Sequence, residues 1–233
     1  MTAALISGHS AHYGRVMPME VKPIPTKTLR RLPIYLNYLK TFRQSDPVNI
    51  SATAIAEAVG LGDVQVRKDL AMVCDGGRPK TGYVREHLIR DIASCLGYDN
   101  AGTAVIAGAG SLGRALLSYS GFGSYGLNIV AAFDTDVNII GTEIHGKEVL
   151  SASKMTELCA RMNIRIGIIT VPAEQAQSVC DMLTAGGVSA VWNFAPVHLN
   201  ANKEVLIKNE NLAGSLALLS QHLKETWAAP PQR

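Results

Sequence analysis

Apolar residues recur along this chain with two different periods, and the change from one to the other divides it. From Thr26 to Leu96 the spacing is helical. Thr26–Leu39 reads as one helix or, because Pro33 sits inside it, as a kinked pair. Ser51 is placed to cap a helix that Gly60-Leu61-Gly62 closes, and Asp63 to cap a second, Val64–Val73, whose Val66, Leu70 and Val73 fall at i, i+4 and i+7. Residues 86–99 read as a closing helix with a stripe of Leu88, Ile89, Ile92, Ala93 and Leu96. Beyond Tyr98-Asp99-Asn100-Ala101-Gly102, short apolar runs alternate with helical ones: Thr103–Ala107, Ser111–Tyr119, Asn128–Asp134, Ser153–Arg161, Arg165–Thr170, Ala173–Ala185 and Val188–Phe194. That alternation predicts a parallel sheet covered by helices. A strand near Val205–Lys208 then leads to a last helix, Leu212–Trp227, whose Leu212, Leu216, Leu219 and Leu223 need cover from a partner subunit or from the N-terminal domain.

The expected fold class is therefore α/β. The predicted domains are a flexible arm or leader over residues 1–22, a small helical domain over 23–100, an α/β domain over 101–208 and a terminal helix over 209–229. Composition adds little, with 47% hydrophobic and 18% charged residues. No apolar run approaches the roughly 18 residues of a membrane span, and the first residues lack a secretion signal. Cys74, Cys95, Cys159 and Cys180 are too scattered for a metal site and read as reduced thiols. Charge is more telling. Residues 1–100 carry 13 Lys+Arg against 9 Asp+Glu, and residues 101–233 carry 9 against 10, so the basic excess lies in the helical part.

Two motifs carry chemistry. Gly108-Ala109-Gly110-Ser111-Leu112-Gly113 follows an apolar strand and opens a helix, and Asp134 ends the next strand. In that context Gly108 makes the tight turn, Gly110 admits a pyrophosphate, Gly113 lets helix pack on strand, and the helix N-terminus faces the phosphates. Asp134 would accept from a ribose 2′-OH and repel a 2′-phosphate, which favours NAD(H) over NADP(H). The bland alternative is a glycine-rich turn in another α/β domain. Later strand ends, Thr170-Val171-Pro172 and Asn193-Phe194-Ala195-Pro196, are neutral; they suit a nicotinamide ring but move no proton readily. His198 is the nearest titratable residue, and no catalytic group is assigned.

The second motif is the pair of short helices joined by a glycine-bearing turn. Its second helix turns Gln65, Arg67 and Lys68 away from the apolar face, and Gly76–Arg85 follows as a glycine-rich loop with Arg78, Lys80, Tyr83 and Arg85. This is the pattern of a helix-turn-helix with a basic wing, the alternative being a helical hairpin inside an ordinary domain. Arg67 and Lys68 are candidates for the major groove or its phosphates, Lys80 and Tyr83 for the adjacent groove, and Arg30 and Arg31 for phosphate or interdomain contacts.

From Ile24 to about Leu223 the chain resembles the Rex family of redox-sensing transcriptional repressors. The resemblance is carried by Leu32-Pro33-Ile34-Tyr35, Gln65-Val66-Arg67-Lys68-Asp69-Leu70, Gly108–Gly113, Ala131-Ala132-Phe133-Asp134, Thr170-Val171-Pro172-Ala173-Glu174 and Asn193-Phe194-Ala195-Pro196. It implies a winged helix-turn-helix joined to a Rossmann-type doubly wound parallel sheet. It also implies a cytoplasmic homodimer with a domain-swapped C-terminal helix, binding operator DNA when NAD(+) is high and releasing it when NADH rises. Three positions depart from the family pattern. Ala71-Met72-Val73-Cys74 replaces Ser-Tyr-Phe-Gly, Ser111 replaces a common Asn, and Asn211 replaces an Asp that the resemblance places between an arginine near Arg31 and a tyrosine near Tyr119 in the redox switch. The competing readings are a Rex-like paralogue with altered or absent switching, and an NAD-linked oxidoreductase or coenzyme-A-binding metabolic protein.

Overall fold

The computed structural model describes residues 24–99 and 102–228. The arm expected over residues 1–22 and the junction residues Asn100 and Ala101 lie outside the described residues. One compact unit ends at Ile89 and a second begins at Arg90. The division falls inside the helix Arg85–Cys95, ahead of the boundary expected near Gly102.

In the first unit α1 (Thr26–Lys40) is one helix with Pro33 in its interior, and its buried Leu32, Tyr35, Leu36 and Leu39 follow the expected stripe. α2 (Ala52–Val59) is capped as expected, the Ser51 hydroxyl accepting from the Ala54 N–H at 3.0 Å. α3 (Asp63–Ala71) begins one residue earlier than its sequence suggested. Gly62 occupies the cap, and the Asp63 carboxylate instead pairs with Arg67 one turn on. α2 packs on both α1 and α3. β1 (Asn49–Ile50) and β2 (Tyr83–Val84) pair antiparallel, an Arg78–Gly82 bridge forms the wing tip, and α4 (Arg85–Cys95) follows.

The second unit is built on seven strands: β3 (Gly102–Ala107), β4 (Leu127–Asp134), β5 (Glu143–Ile144), β6 (Lys147–Ser151), β7 (Ile166–Ile169), β8 (Ala190–Asn193) and β9 (Leu206–Asn209). Their order is β5-β6-β4-β3-β7-β8-β9. All pairings are parallel except β5–β6, a hairpin absent from the sequence reading whose turn residues His145 and Gly146 both have positive φ. The six parallel strands have the Rossmann order, which reverses direction between β3 and β7 and leaves a crevice at those strand ends. Period two sorts the faces. Ala104 and Ile106 join Leu117 of α5 (Ser111–Ser118) on one side, while Val105 and Ala107 join α6 (Met155–Arg161) and α7 (Ala173–Ala185) on the other. α8 (Leu212–Ala228) leaves its stripe uncovered, with Leu212, Leu216 and Leu219 each more than 60% exposed.

Among the described residues no helix is long and apolar enough to cross a membrane, and no cluster of His, Cys, Asp and Glu is arranged to hold a metal. Cys74, Cys159 and Cys180 are buried and outside any disulfide, and burial raises the pKa of the Cys159 thiol to about 11.

Candidate functional site

The glycine loop stands at the reversal point between β3 and β7. Gly108 has φ of 97°, and a Cβ there would lie 2.9 Å from the Thr170 carbonyl. A Cβ on Gly113 would strike the Gly108 carbonyl oxygen. These two positions are closed by the protein's own backbone, whereas a Cβ on Gly110 would meet nothing within 4 Å. The open side of Gly110 is where a ligand can approach the backbone. The N–H groups of Ser111, Leu112 and Gly113 open α5 and have no carbonyl of their own helix to reach, so the loop presents donors to an anion.

Asp134 closes the site from β4. One carboxylate oxygen accepts from the Ala109 N–H at 2.7 Å, and the other from the Thr135 and Asp136 N–H groups at 2.7 and 2.9 Å. The Ala109 carbonyl in turn accepts from Arg114 Nε at 3.0 Å, so the peptide planes on either side of Ala109 are each held by a side chain. Thr170 fastens the other wall, its hydroxyl donating to the carbonyl of Gly108 at 2.8 Å and standing 3.1 Å from that of Ala107. A cleft of about 400 Å³ results, lined by Gly108, Gly110, Asp134, Thr170, Val171 and Pro172. Met155, Gln175, Val179 and Met182 are also among its lining residues. The sequence reading missed these four, and Arg114, because each looks like ordinary helix surface or core until the strands bring it to the crevice. Glycines that leave backbone exposed, unpartnered first-turn N–H groups and a fixed carboxylate fit a dinucleotide.

The second expected wall behaves differently. Asn193 is buried, and its side-chain amide donates toward the Ala195 and Val197 carbonyls and the Asn209 side-chain oxygen while accepting from the Ala195 N–H. Its polar atoms shape the loop and are not turned to the cleft. Phe194 packs on Trp192 at 4.9 Å, Ala195 is buried, Pro196 is exposed, and none of the four lines the 400 Å³ cleft. His198 is exposed.

In the first unit Arg67 and Lys68 project from α3 into solvent, and Arg67 makes only an exposed pair with Asp63 at 3.2 Å. Arg67, with Arg78, Lys80 and the N-terminus of α2, lines a cleft of about 510 Å³. Arg30 and Lys80 are exposed. Tyr83 corrects the expectation of a groove-reaching residue. It is 7% exposed with its ring against Gly77, so it forms the floor of that cleft, where burial of an aromatic ring favours packing over projection. Arg31 is also redirected. It donates two hydrogen bonds to the buried Asp69, at 2.6 and 2.8 Å, instead of facing solvent. Gln65 donates to the same carboxylate at 3.1 Å. Of the residues expected to form a switch, Arg31 is thus held by Asp69, Tyr119 is half exposed against Phe122, and the Asn211 side-chain oxygen caps α8 by accepting from the Gly214 N–H at 2.7 Å.

Comparison with known proteins supports both units. The CoA binding domain family matches residues 99–197, and the family described as putative DNA-binding protein N-terminus matches residues 23–71. A redox-sensing transcriptional repressor Rex of Porphyromonas gingivalis is 39% identical over 86% of this chain and 92% of its own length. That of Pelotomaculum thermopropionicum is 40% identical over 90% and 100%. Among solved structures, RSP in complex with β-NAD+ and operator DNA has a TM-score of 0.83 at 33% identity, covering 88% of this chain and 94% of that one. RSP in complex with β-NADH has a TM-score of 0.77 at 32% identity, covering 88% and 96%.

Proposed function

The chain belongs to the Rex family of redox-sensing transcriptional repressors, and on that footing we propose that it binds operator DNA when NADH is low and lets go when NADH binds. It is a regulator and not an enzyme. The observation that carries the reading is that one chain combines an exposed basic helix and wing with a glycine loop whose only open side is Gly110. NAD(H) is the effector. Gly108 to Gly113 and Asp134 hold its diphosphate and adenosine ribose, Thr170, Val171 and Pro172 line its path, and the loop Asn193-Phe194-Ala195-Pro196 stands toward the nicotinamide. Arg67, Lys68, Lys80 and Arg30 meet DNA. A repressor acting on chromosomal operators works in the cytoplasm, and the uncovered stripe of α8 packs on a second copy to make a homodimer.

Regulation requires the effector to bind the DNA-competent and DNA-incompetent states unequally. Moving the balance from 1:99 to 99:1 takes about 10⁴-fold differential affinity. The test is fluorescence anisotropy on a palindromic Rex-type operator at fixed salt, titrated separately with NADH and NAD(+). Release by NADH alone supports the reading, and failure to bind the operator rejects it. A second reading, a Rex-like regulator with a blunted switch, is favoured by one observation: Asn211 is a neutral helix cap. If that substitution has weakened the switch, Asn211→Asp steepens NADH-dependent release; an unchanged titration curve assigns switching to other contacts.

A further inference from the structure

Asp69 lies on the helix that carries Arg67 and Lys68, yet it is completely buried. One of its oxygens accepts from the Thr28 hydroxyl at 3.0 Å, from an Arg31 terminal nitrogen at 2.8 Å and from Gln65 at 3.1 Å. The other accepts from Arg31 Nε at 2.6 Å and from the Tyr35 hydroxyl at 2.8 Å. Thr28, Arg31 and Tyr35 are spaced along one face of α1, so a single carboxylate ties about two turns of that helix to the last turn of α3. Its lone pairs are filled, and no buried side-chain polar atom is left without a partner among the described residues.

Such a cluster is a poor way to gain stability, because taking a carboxylate and a guanidinium out of water offsets much of their attraction and an apolar pair can replace them without loss. What it supplies is direction. The planar fork of Arg31 grips both carboxylate oxygens at one orientation, whereas the burial of the neighbouring Val66 and Leu70 is a non-directional attraction. At about 100° per residue, Arg67 stands about 200° round the helix from Asp69. Holding Asp69 inward therefore aims Arg67 outward and fixes the azimuth of Lys68 beside it. The carboxylate is held below the ordinary range: burial pushes it up, but hydrogen bonds from Arg31, Tyr35 and Thr28 outweigh that. The Tyr35 hydroxyl is pushed up to about 12 by burial and by Asp69, and so remains a donor.

We propose that Asp69 and its α1 partners Arg31, Thr28 and Tyr35 are positioning residues that set the orientation of α3 for operator binding, and that Arg31 acts through Asp69 without contacting DNA. The inference rests on the DNA-binding reading above. Its prediction separates Arg31 from Arg67, although both are arginines in the same small unit. A phosphate-binding cation contributes to the salt dependence of binding, about 0.9 in the slope of log K against log salt for each contact, whereas a positioning residue changes affinity and leaves the slope alone.

The experiment measures operator affinity by anisotropy from low to high salt for the full chain and for Arg31→Gln, Asp69→Asn and Arg67→Gln, with thermal melts and NADH titration of each. Arg31→Gln and Asp69→Asn are expected to weaken operator binding at least tenfold with the parent's salt slope and NADH affinity, while Arg67→Gln flattens the slope. Tyr35→Phe and Thr28→Val remove one neutral donor each and keep every charge, so they cover the case in which the charge variants unfold; a severalfold loss at unchanged slope is expected. The double variant Arg31→Met, Asp69→Leu separates orientation from stability. Made together with Tyr35→Phe and Thr28→Val, so that no buried hydroxyl loses its acceptor, it should melt near the parent temperature and still bind operator weakly. A slope reduced in Arg31→Gln as in Arg67→Gln, a folded Arg31→Gln with parental affinity, or full affinity in the combined variant overturns the proposal while operator binding by the parent upholds the DNA-binding reading. If the parent binds no operator at any salt, both fall together.

Discussion

The two units fix their working surfaces by different means. In the α/β unit the site is built from main chain: the turn at Gly108, the contact of Gly113 with the Gly108 carbonyl and the N–H groups that open α5. In the helical unit it is built from side chains, with Arg67 and Lys68 reaching outward and Asp69 gripped from behind by Arg31, Tyr35 and Thr28. A main-chain site tolerates changes of side chain but no added Cβ where backbone touches backbone. A side-chain site has the opposite tolerance.

The sharpest way to break the main-chain half is Gly113→Ala. Its Cβ overlaps the Gly108 carbonyl, so we expect NADH binding to be lost and the α/β unit to be destabilised by about 1–3 kcal/mol, the usual range for overpacking. NADH fluorescence titration and thermal melts check both. Next in size is the double variant Arg67→Ala, Lys68→Ala, which should weaken operator binding by about ten- to a hundredfold and flatten its salt dependence while NADH affinity stays. Unchanged DNA affinity would remove α3 from the interface. Asp134→Ala comes third, because it deletes one side chain from a site made mostly of backbone. NADH should bind about tenfold more weakly, the scale of one charged hydrogen bond, with a smaller loss for NADPH. Equal behaviour of both cofactors in mutant and parent would place the ribose contact elsewhere.

The smallest effect is on acid stability. Asp69 is depressed in the folded state, so it stabilises the helical unit fully above the unfolded carboxylate value of about 4, and that contribution is lost as pH falls through the lower folded value. Thermal melts of the parent should therefore fall more steeply below about pH 4 than those of Asp69→Asn.

The same division explains what was legible in the sequence. The glycine loop, its strand and Asp134 were readable because backbone requirements leave a local signature, and the alternating runs gave the strand succession of the Rossmann sheet. The β5–β6 hairpin escaped because β5, with two residues, carries no period and the turn is His145-Gly146. Asp69 falls three residues after Val66 and one before Leu70, but its role was not legible, because its α1 partners lie 34 to 41 residues away along the chain. Arg31 and Tyr83 were misread for the same reason. Residue type announces what a side chain can do, and only the packing decides whether it faces solvent, as Arg67 does, or a buried carboxylate. Asn193 looked like a ligand contact and proved to be the peg of its own loop.

The two peptide planes that meet at Ala109, one pinned at the Ala109 N–H by Asp134 and the other at the Ala109 carbonyl by Arg114, have one more consequence. Turning over a peptide plane is the cheapest way for a loop to change what its donors face, and here that freedom is spent during folding. On the function proposed above, the cradle meets a diphosphate with the same array every time. Oxidised and reduced dinucleotides carry identical diphosphates and identical adenosines, so this half of the pocket is blind to the electrons it is meant to report. It sets how much dinucleotide is bound, and all discrimination between the two forms must arise at the far end of the ligand.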